Sequence, residues 1–259
     1  MKALSSRDNP TVKHLHALAT TARERRKHGQ TLLDGAHLVQ VALERGAPLA
    51  LLVLSESGLA QPELAALVAR CAHIEQILLP DALFAHVSPV DSPSGILAVL
   101  PLPAAPAEGP LGQTCVLLDG VQDPGNLGTI LRTAAAVGVD EVLLTPGCAQ
   151  AWSPRVLRAG MGAHFGLTIH EGVDAAQRLA DFSGLILAAD LRDAVDLYDL
   201  DLRGPVVWLM GSEGQGLSAP VAALANRKVM IPMPGGMESL NVGVAAAVCL
   251  FEQLRQRRG

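Results

Sequence analysis

Three separated segments concentrate the glycines, amides and charged groups of this chain: Asp123-Pro124-Gly125-Asn126-Leu127-Gly128-Thr129-Ile130-Leu131-Arg132, Leu209-Met210-Gly211-Ser212-Glu213-Gly214-Gln215-Gly216-Leu217-Ser218 and Ile231-Pro232-Met233-Pro234-Gly235-Gly236-Met237-Glu238-Ser239-Leu240-Asn241-Val242. Each follows an apolar run that reads as a buried strand. Peptide groups left free at the carboxyl ends of strands in an α/β sheet can grip a ligand, so the three segments predict one pocket. The polar side chains singled out in them are Asn126 with Arg132 six residues later, Glu213 between Ser212 and Gly214, and Ser239 with Asn241. Together they offer a permanently charged fork of donors, a carboxylate, a hydroxyl and two amides. Several chemistries are absent. The loop 211–216 lacks the lysine that would reach a terminal phosphate, and neither G-x-G-x-x-G, G-x-x-x-x-G-K-[ST] nor G-x-S-x-G occurs. Cys71, Cys115, Cys148 and Cys249 are scattered without a C-x-x-C pair or clustered histidines, so neither zinc nor a disulfide framework is expected, and no metal site is assigned.

The elements that must position these groups follow from periodicity. Residues 100–112 carry Pro101, Pro103, Pro106 and Pro110 among alanines and glycines and read as a linker. The division is into a first domain over 1–103, a linker over 104–112 and a second domain over 113–259. In the first, Asn9-Pro10 opens a basic amphipathic helix, strands are expected over 31–33, 49–54, 76–79 and 95–100, and helices over 37–45 and 62–71. In the second, strands are expected over 114–118, 141–144, 165–169, 185–189, 206–210 and 228–231, with helices near 129–137, 154–161, 173–180, 219–225 and 240–255. Short apolar strands alternating with helices imply a parallel sheet covered on both faces. Ser153 before Pro154 and Ser218 before Pro220 read as helix starts.

The chain has 259 residues, 49% hydrophobic and 17% charged, enough for a full core. Residues 92–107 are uncharged but broken by prolines, and the first ten residues have no apolar signal-peptide core, so no membrane segment is expected and the cytoplasm is the expected location. The net charge of −5 argues mildly against a nucleic-acid partner. Its distribution argues the other way. Residues 1–28 hold Lys2, Arg7, Lys13, Arg23, Arg25, Arg26 and Lys27 against Asp8 and Glu24, and Arg255, Arg257 and Arg258 close the chain. These clusters fit either solvated faces or a polyanion footprint.

Taken together, the three segments resemble the signature motifs of the SpoU/TrmH family of RNA ribose 2′-O-methyltransferases, of the SPOUT class. The resemblance covers residues 115 to about 251. Asn126 to Arg132 is similar to the first motif, Met210 to Ser218 to the second, and Ile231-Pro232-Met233 with Ser239-Leu240-Asn241-Val242 to the third. Upstream, Ser6 to Leu15, Leu32 to Val39 and Ser94 to Val99 resemble the ribosomal-protein-like substrate-binding domain that precedes many of these catalytic domains. Asp34 stands where that family more often has Glu, and Gly243 where it often has Ser.

The resemblance implies an α/β fold in which a small N-terminal α/β RNA-binding domain precedes a C-terminal parallel-sheet SPOUT domain with a trefoil knot. Periodicity by itself suggests an ordinary doubly wound sheet. It further implies S-adenosyl-L-methionine as cofactor, a homodimer formed through the C-terminal domain, and RNA as substrate, with ribosomal RNA favoured over transfer RNA. Cofactor-binding positions map by similarity onto Leu209, Gly211, Ile231, Met233 and Leu240. Arg132 is assigned to the phosphate beside the target ribose, and Asn126, Glu213, Ser239 and Asn241 to orienting groups, with Glu213 expected to fix Arg132 or a neighbouring backbone amide. Lys13, Arg23, Arg25, Arg26 and Arg158 are assigned to RNA binding; Arg158, in Arg158-Ala159-Gly160-Met161-Gly162-Ala163-His164-Phe165, matches a family stretch near the RNA entrance. The competing readings are a non-catalytic RNA-binding protein that kept the fold and a different α/β nucleotide-binding enzyme.

Overall fold

The computed structural model describes residues 1–190 and 194–258. The chain divides into two compact units, one of residues 1–104 with 152–165 and one of 105–151 with 166–258. The helix Pro154–Gly160, which follows the proline-rich segment in sequence, thus clusters with the first unit.

The first unit is built on five strands, β1 (Lys2–Ala3), β2 (Gln30–Asp34), β3 (Leu51–Ser55), β4 (Glu75–Leu79) and β5 (Ile96–Pro101), in the order β1-β4-β3-β5-β2. β4 runs parallel to β1 and β3, whereas β5 pairs antiparallel with β2 and β3. Alternation sorts the apolar side chains. Leu52, Leu54, Ile96, Ala98 and Leu100 enter one buried cluster, and Val53, Leu97 and Val99 the other, because successive strand residues face opposite sides. Continuous apolar runs therefore mark strands covered on both faces.

The basic N-terminal helix expected as one element is two, Pro10–Thr20 and Ala22–His28, broken at the extended Thr21. The Thr20 hydroxyl donates to the His16 carbonyl at 2.8 Å, the back-bonding by which threonine competes with helix continuation. Asn9 caps the first of them by accepting from Thr11 N at 2.9 Å. Two helices were not anticipated, Glu56–Leu59 and Asp81–Val87. Each is short enough for its periodicity to be lost among its neighbours.

The second unit carries β6 (Thr114–Asp119), β7 (Glu141–Leu144), β8 (Thr168–Glu171), β9 (Leu185–Ala189), β10 (Val195–Asp196), β11 (Val206–Gly211) and β12 (Arg227–Met230). All pair parallel, in the order β10-β12-β9-β11-β6-β7-β8. The strand expected over 165–169 begins at Thr168, because residues 163–166 close a 3-10 turn after Gly162, which holds φ +90°. The helix expected from residue 129 starts at Pro124, since Asp123 caps it by accepting from Asn126 N at 2.7 Å and Pro124 suits its first turn. Ser218 precedes the short helix Ala219–Ala222 without a side-chain cap. Its N–H donates to Asp119 Oδ2 at 2.7 Å instead.

The last helix, Val242–Arg258, packs against Pro124–Val137 and is pinned to the sheet by polar contacts. The buried Trp208 indole donates to Gln253 Oε1 at 2.8 Å, and Gln256 exchanges hydrogen bonds with Leu202 N and the Leu200 carbonyl. Arg257 donates to Thr114 Oγ1 and to the carbonyls of Gln113 and Gly204, and Arg255 pairs with Glu252. Two of the three terminal arginines are therefore committed to the fold, which weakens the polyanion reading of that cluster.

Candidate active site

Strand order creates the site. The chain leaves β6 toward β7 on one side and leaves β11 toward β12 on the other, so the segments after these adjacent strands diverge and open a crevice at their carboxyl ends. Register sets Asp119, the last residue of β6, opposite Gly211, the last of β11. Asp119 is buried, and its carboxylate accepts from the Thr145 hydroxyl at 2.8 Å and from Ser218 N at 2.7 Å. It thereby joins the ends of β6 and β7 to the exit of the second segment. Sequence reading passed over Asp119; the available signal was a carboxylate ending an apolar strand just before Gly120, which holds φ +65°.

The second segment folds into a tight hairpin. Ser212 N donates to the Gly216 carbonyl at 3.0 Å and Gly216 N to the Ser212 carbonyl at 2.9 Å. A Cβ at Gly211 would lie 2.1 Å from the Gly216 carbonyl carbon and 2.3 Å from Leu217 N, so the hairpin closes only over a residue without a side chain.

A single side chain unites the three segments. Asn126 donates from Nδ2 to Glu213 Oε1 and accepts at Oδ1 from Asn241 Nδ2 at 2.9 Å. Asn241 in turn caps the last helix, its Oδ1 accepting from Gly243 N at 2.9 Å and Val244 N at 3.3 Å. Glu213 was expected to fix Arg132 or a neighbouring backbone amide; it takes neither, accepting instead from the Asn126 side-chain amide that strand order brings to it. Arg132, on the helix whose first turn holds Asn126, is exposed and makes no hydrogen bond or ion pair among the described residues. Its charge is available to a ligand.

Beside this junction Ile231, Met233, Ser239 and Leu240 line a cavity of about 140 Å³ with Ala189, Val229, Met230 and Ala245, and Asp190 adds a carboxylate to its wall. Within 231–241 the described backbone closes a single turn on itself, Gly236 N to the Met233 carbonyl at 3.2 Å, and the Asn241 carbonyl accepts from Ala245 N at 2.9 Å, so much of the loop's backbone is left without a regular ladder. Apolar walls beside free peptide groups suit a flat heterocycle whose edge bears donors and acceptors. Leu209 does not line that cavity; its side chain is wholly in the core, paired opposite Leu117 and Ala188.

In the first unit the positions assigned to RNA separate. Lys13, Arg23 and Arg26 are exposed, with Lys13 paired to Asp8 at 2.8 Å. Arg25 is buried and donates to the Leu18 carbonyl at 2.9 Å, capping the end of the preceding helix. Burial, helped by the neighbouring Arg26 charge, presses its pKa below the usual arginine value. Arg25 thus has a structural task that its place in a basic run concealed. Arg158 donates to Asp34 Oδ1 at 2.6 Å, with the Asp34 carboxylate fully enclosed and the Arg158 side chain 46% exposed. Burial raises the Asp34 pKa in spite of the opposing pull of Arg158 and of the Ser88 hydroxyl. Nothing among the described residues groups histidines, cysteines and carboxylates into a metal site.

A parallel sheet with ligand-facing loops at a switch point, tied at one asparagine, defines a class of α/β enzyme; comparison with known proteins supplies the family. The model of the SpoU rRNA methylase family matches residues 113–251, and that of the MRM3-like substrate binding domain matches residues 9–98. The chain belongs to the SpoU rRNA methylase family. It is 36% identical to a tRNA/rRNA methyltransferase of Synechocystis sp., over 98% of this chain and 94% of that one. It is 29% identical to the 23S rRNA (guanosine(2553)-2′-O)-methyltransferase RlmP of Bacillus subtilis, over 97% of this chain and 98% of that one. An AdoMet-bound rRNA methyltransferase from Sinorhizobium meliloti superposes with a TM-score of 0.83 at 30% identity, covering 98% of this chain and 97% of that one.

Proposed function

We propose that this protein transfers a methyl group from S-adenosylmethionine to a ribose 2′-hydroxyl of ribosomal RNA. The carrying observation is the Asn126 junction, which gathers three segments far apart in sequence beside an unpartnered arginine. Family membership and the names of its relatives support the reaction, and they favour ribosomal over transfer RNA.

Backbone groups of 231–240 and the close-packed Gly211 hairpin hold the cofactor's adenosine, with Ile231, Met233 and Leu240 as apolar walls. When bound, S-adenosylmethionine supplies a methyl already activated on a sulfonium. The protein's remaining tasks are to aim the ribose and to manage its proton. Arg132 seats the phosphate beside the target ribose. A guanidinium is a donor without a lone pair to offer, so Arg132 does not serve as base and the proton passes to that phosphate or to a water. Asn126, Glu213, Ser239 and Asn241 keep the loops in register around the reacting oxygen.

RNA binding draws on Lys13, Arg23 and Arg26, and on the exposed part of Arg158, with Arg25 supporting them from beneath. The trefoil threading belongs to this reading as a property of the family. So does a homodimer formed through the last helix, where Val244 and Phe251, seven residues apart on one face, are 49% and 50% exposed. Among the described residues no helix is long and apolar enough to cross a membrane. The four free cysteines suit the reducing cytoplasm in which we place the protein.

The test is incubation with methyl-labelled S-adenosylmethionine and ribosomal RNA from cells lacking the protein, followed by mapping of 2′-O-methylated positions. The wild type labels a discrete ribose. Arg132→Ala binds the donor with unchanged affinity by calorimetry yet transfers methyl about 100-fold more slowly. No donor binding by the wild type would overturn the proposal, and normal turnover by the variant would overturn the role of Arg132.

A further inference from the structure

The hairpin 212–216 has a second face. On it lies a cleft of about 470 Å³, lined by Asp119, Gly120, Gln122, Pro146, Gly147 and residues 212–218. Its volume falls within the range of about 300–1,000 Å³ typical of small-ligand sites, which the 140 Å³ cavity beside Ile231 does not reach. The cavity beside Ile231 and this cleft share no lining residue, and the hairpin 212–216 stands between the proposed donor site and the cleft. Glu213 nevertheless belongs both to the cleft and to the Asn126 junction, so the cleft opens directly onto the place where the three motifs meet.

Its lining says what kind of group it takes. It contains the carboxylates of Asp119 and Glu213 and neither lysine nor arginine, so it repels phosphate. No aromatic side chain lines it, so it does not work as a stacking platform. Both oxygens of Asp119 are already used, by the Thr145 hydroxyl and Ser218 N, which makes this residue a fixed wall. Beside the short hydroxyls of Ser212 and Ser218, the groups left that reach farthest and offer both a donor and an acceptor in one plane are the side-chain amides of Gln122 and Gln215. Both are exposed and make no hydrogen bond among the described residues, and each amide offers a donor and an acceptor side by side. Such pairs match the edge of a nucleobase, and RNA-modifying proteins read unstacked bases through those edges. Gly120 and Gly147, at φ +65° and +97°, let the backbone form the rim without side chains in the way.

We infer that this cleft receives the base of the nucleotide being methylated and that Gln122 and Gln215 determine which base is accepted. The inference rests on the proposed methyl transfer to RNA. It assigns the two sides of one hairpin to the two reactants, the donor's adenosine on one side and the acceptor's base on the other, with the ribose carried to the junction between them.

The experiment uses the full-length protein and a short RNA spanning the mapped target, prepared with each of the four bases at the modified position. The wild type favours one base by about tenfold or more in kcat/KM, the scale of one good amide–base pair. The double variant Gln122→Ala, Gln215→Ala raises KM for the preferred RNA about tenfold and flattens the preference, while its donor affinity by calorimetry and its thermal midpoint stay those of the wild type. Unchanged KM and unchanged base preference in the double variant would overturn the inference. A loss of donor affinity would also overturn it, by making the cleft part of the cofactor site. Failure of the wild type to methylate any RNA would instead overturn the function on which the inference rests.

Discussion

Single residues here do work that their type alone does not reveal. Asn126 and Asn241 are both amides at helix starts, and a cap would account for either. Asn241 is a cap, but its free amide NH₂ reaches Asn126, whose own amide is committed to Glu213, so one chain of side chains crosses three loops. Gly211 shows the opposite economy, contributing by having nothing to place. The atoms that a Cβ would strike there are peptide atoms of Gly216 and Leu217, which cannot turn aside as a flexible side chain would. Gly211→Ala should therefore cost about 1–3 kcal/mol of stability, read from urea unfolding, and should weaken donor binding at least about tenfold by calorimetry, because the hairpin must shift to admit the methyl. A variant with wild-type stability and affinity would show that the hairpin yields without consequence.

Among the elements, the last helix is the one held by the most varied means. Its polar residues do not form a solvated face: Gln253 meets the Trp208 indole, Gln256 bridges to residues 200–202, and Arg257 reaches Thr114 at the start of β6. Glu252, buried on the same helix, accepts two hydrogen bonds from Arg255 and one from Gln256, each at 2.8 Å. The hydrogen bonds from Arg255 hold its carboxyl well below the usual range, at about 2. The unfolded chain, where the group titrates near 4.5, then binds the proton more readily than the folded one, so stability rises with pH across that window. Wild type should accordingly exceed Glu252→Gln in thermal midpoint above pH 4.5, with the advantage shrinking steadily as the pH is lowered toward 2. A pH-independent difference would place the contribution of Glu252 in packing instead of charge.

For the whole molecule, charge and apolar surface divide the labour. The exposed basic residues Lys13, Arg23 and Arg26 lie in the unit that matches a substrate-binding domain, whereas the junction and both cavities lie in the methylase unit. Val244 and Phe251 leave an apolar stripe on the last helix, which water alone would cover at a cost. If that stripe is the dimer contact, Val244→Asp with Phe251→Asp should convert a dimer to a monomer in sedimentation velocity, with unchanged far-ultraviolet circular dichroism. A wild type that sediments as a monomer, or a variant that stays dimeric, would remove the last helix from the interface.

Much of this protein is written in local pattern. Runs such as Leu51 to Leu54 and Cys115 to Leu118 identify buried strands, glycine-rich stretches mark the loops that end them, and three motifs in order suffice to indicate an RNA methylase. Short range is enough for these, since periodicity and turn chemistry act over a few residues. Local pattern could not say that Arg25 points inward, that Arg257 serves the sheet, or that Asn126 chooses partners 87 and 115 residues away. Those choices belong to tertiary structure: strand order decides which loops become neighbours, and a buried or half-buried polar group takes whichever partner that order brings within reach.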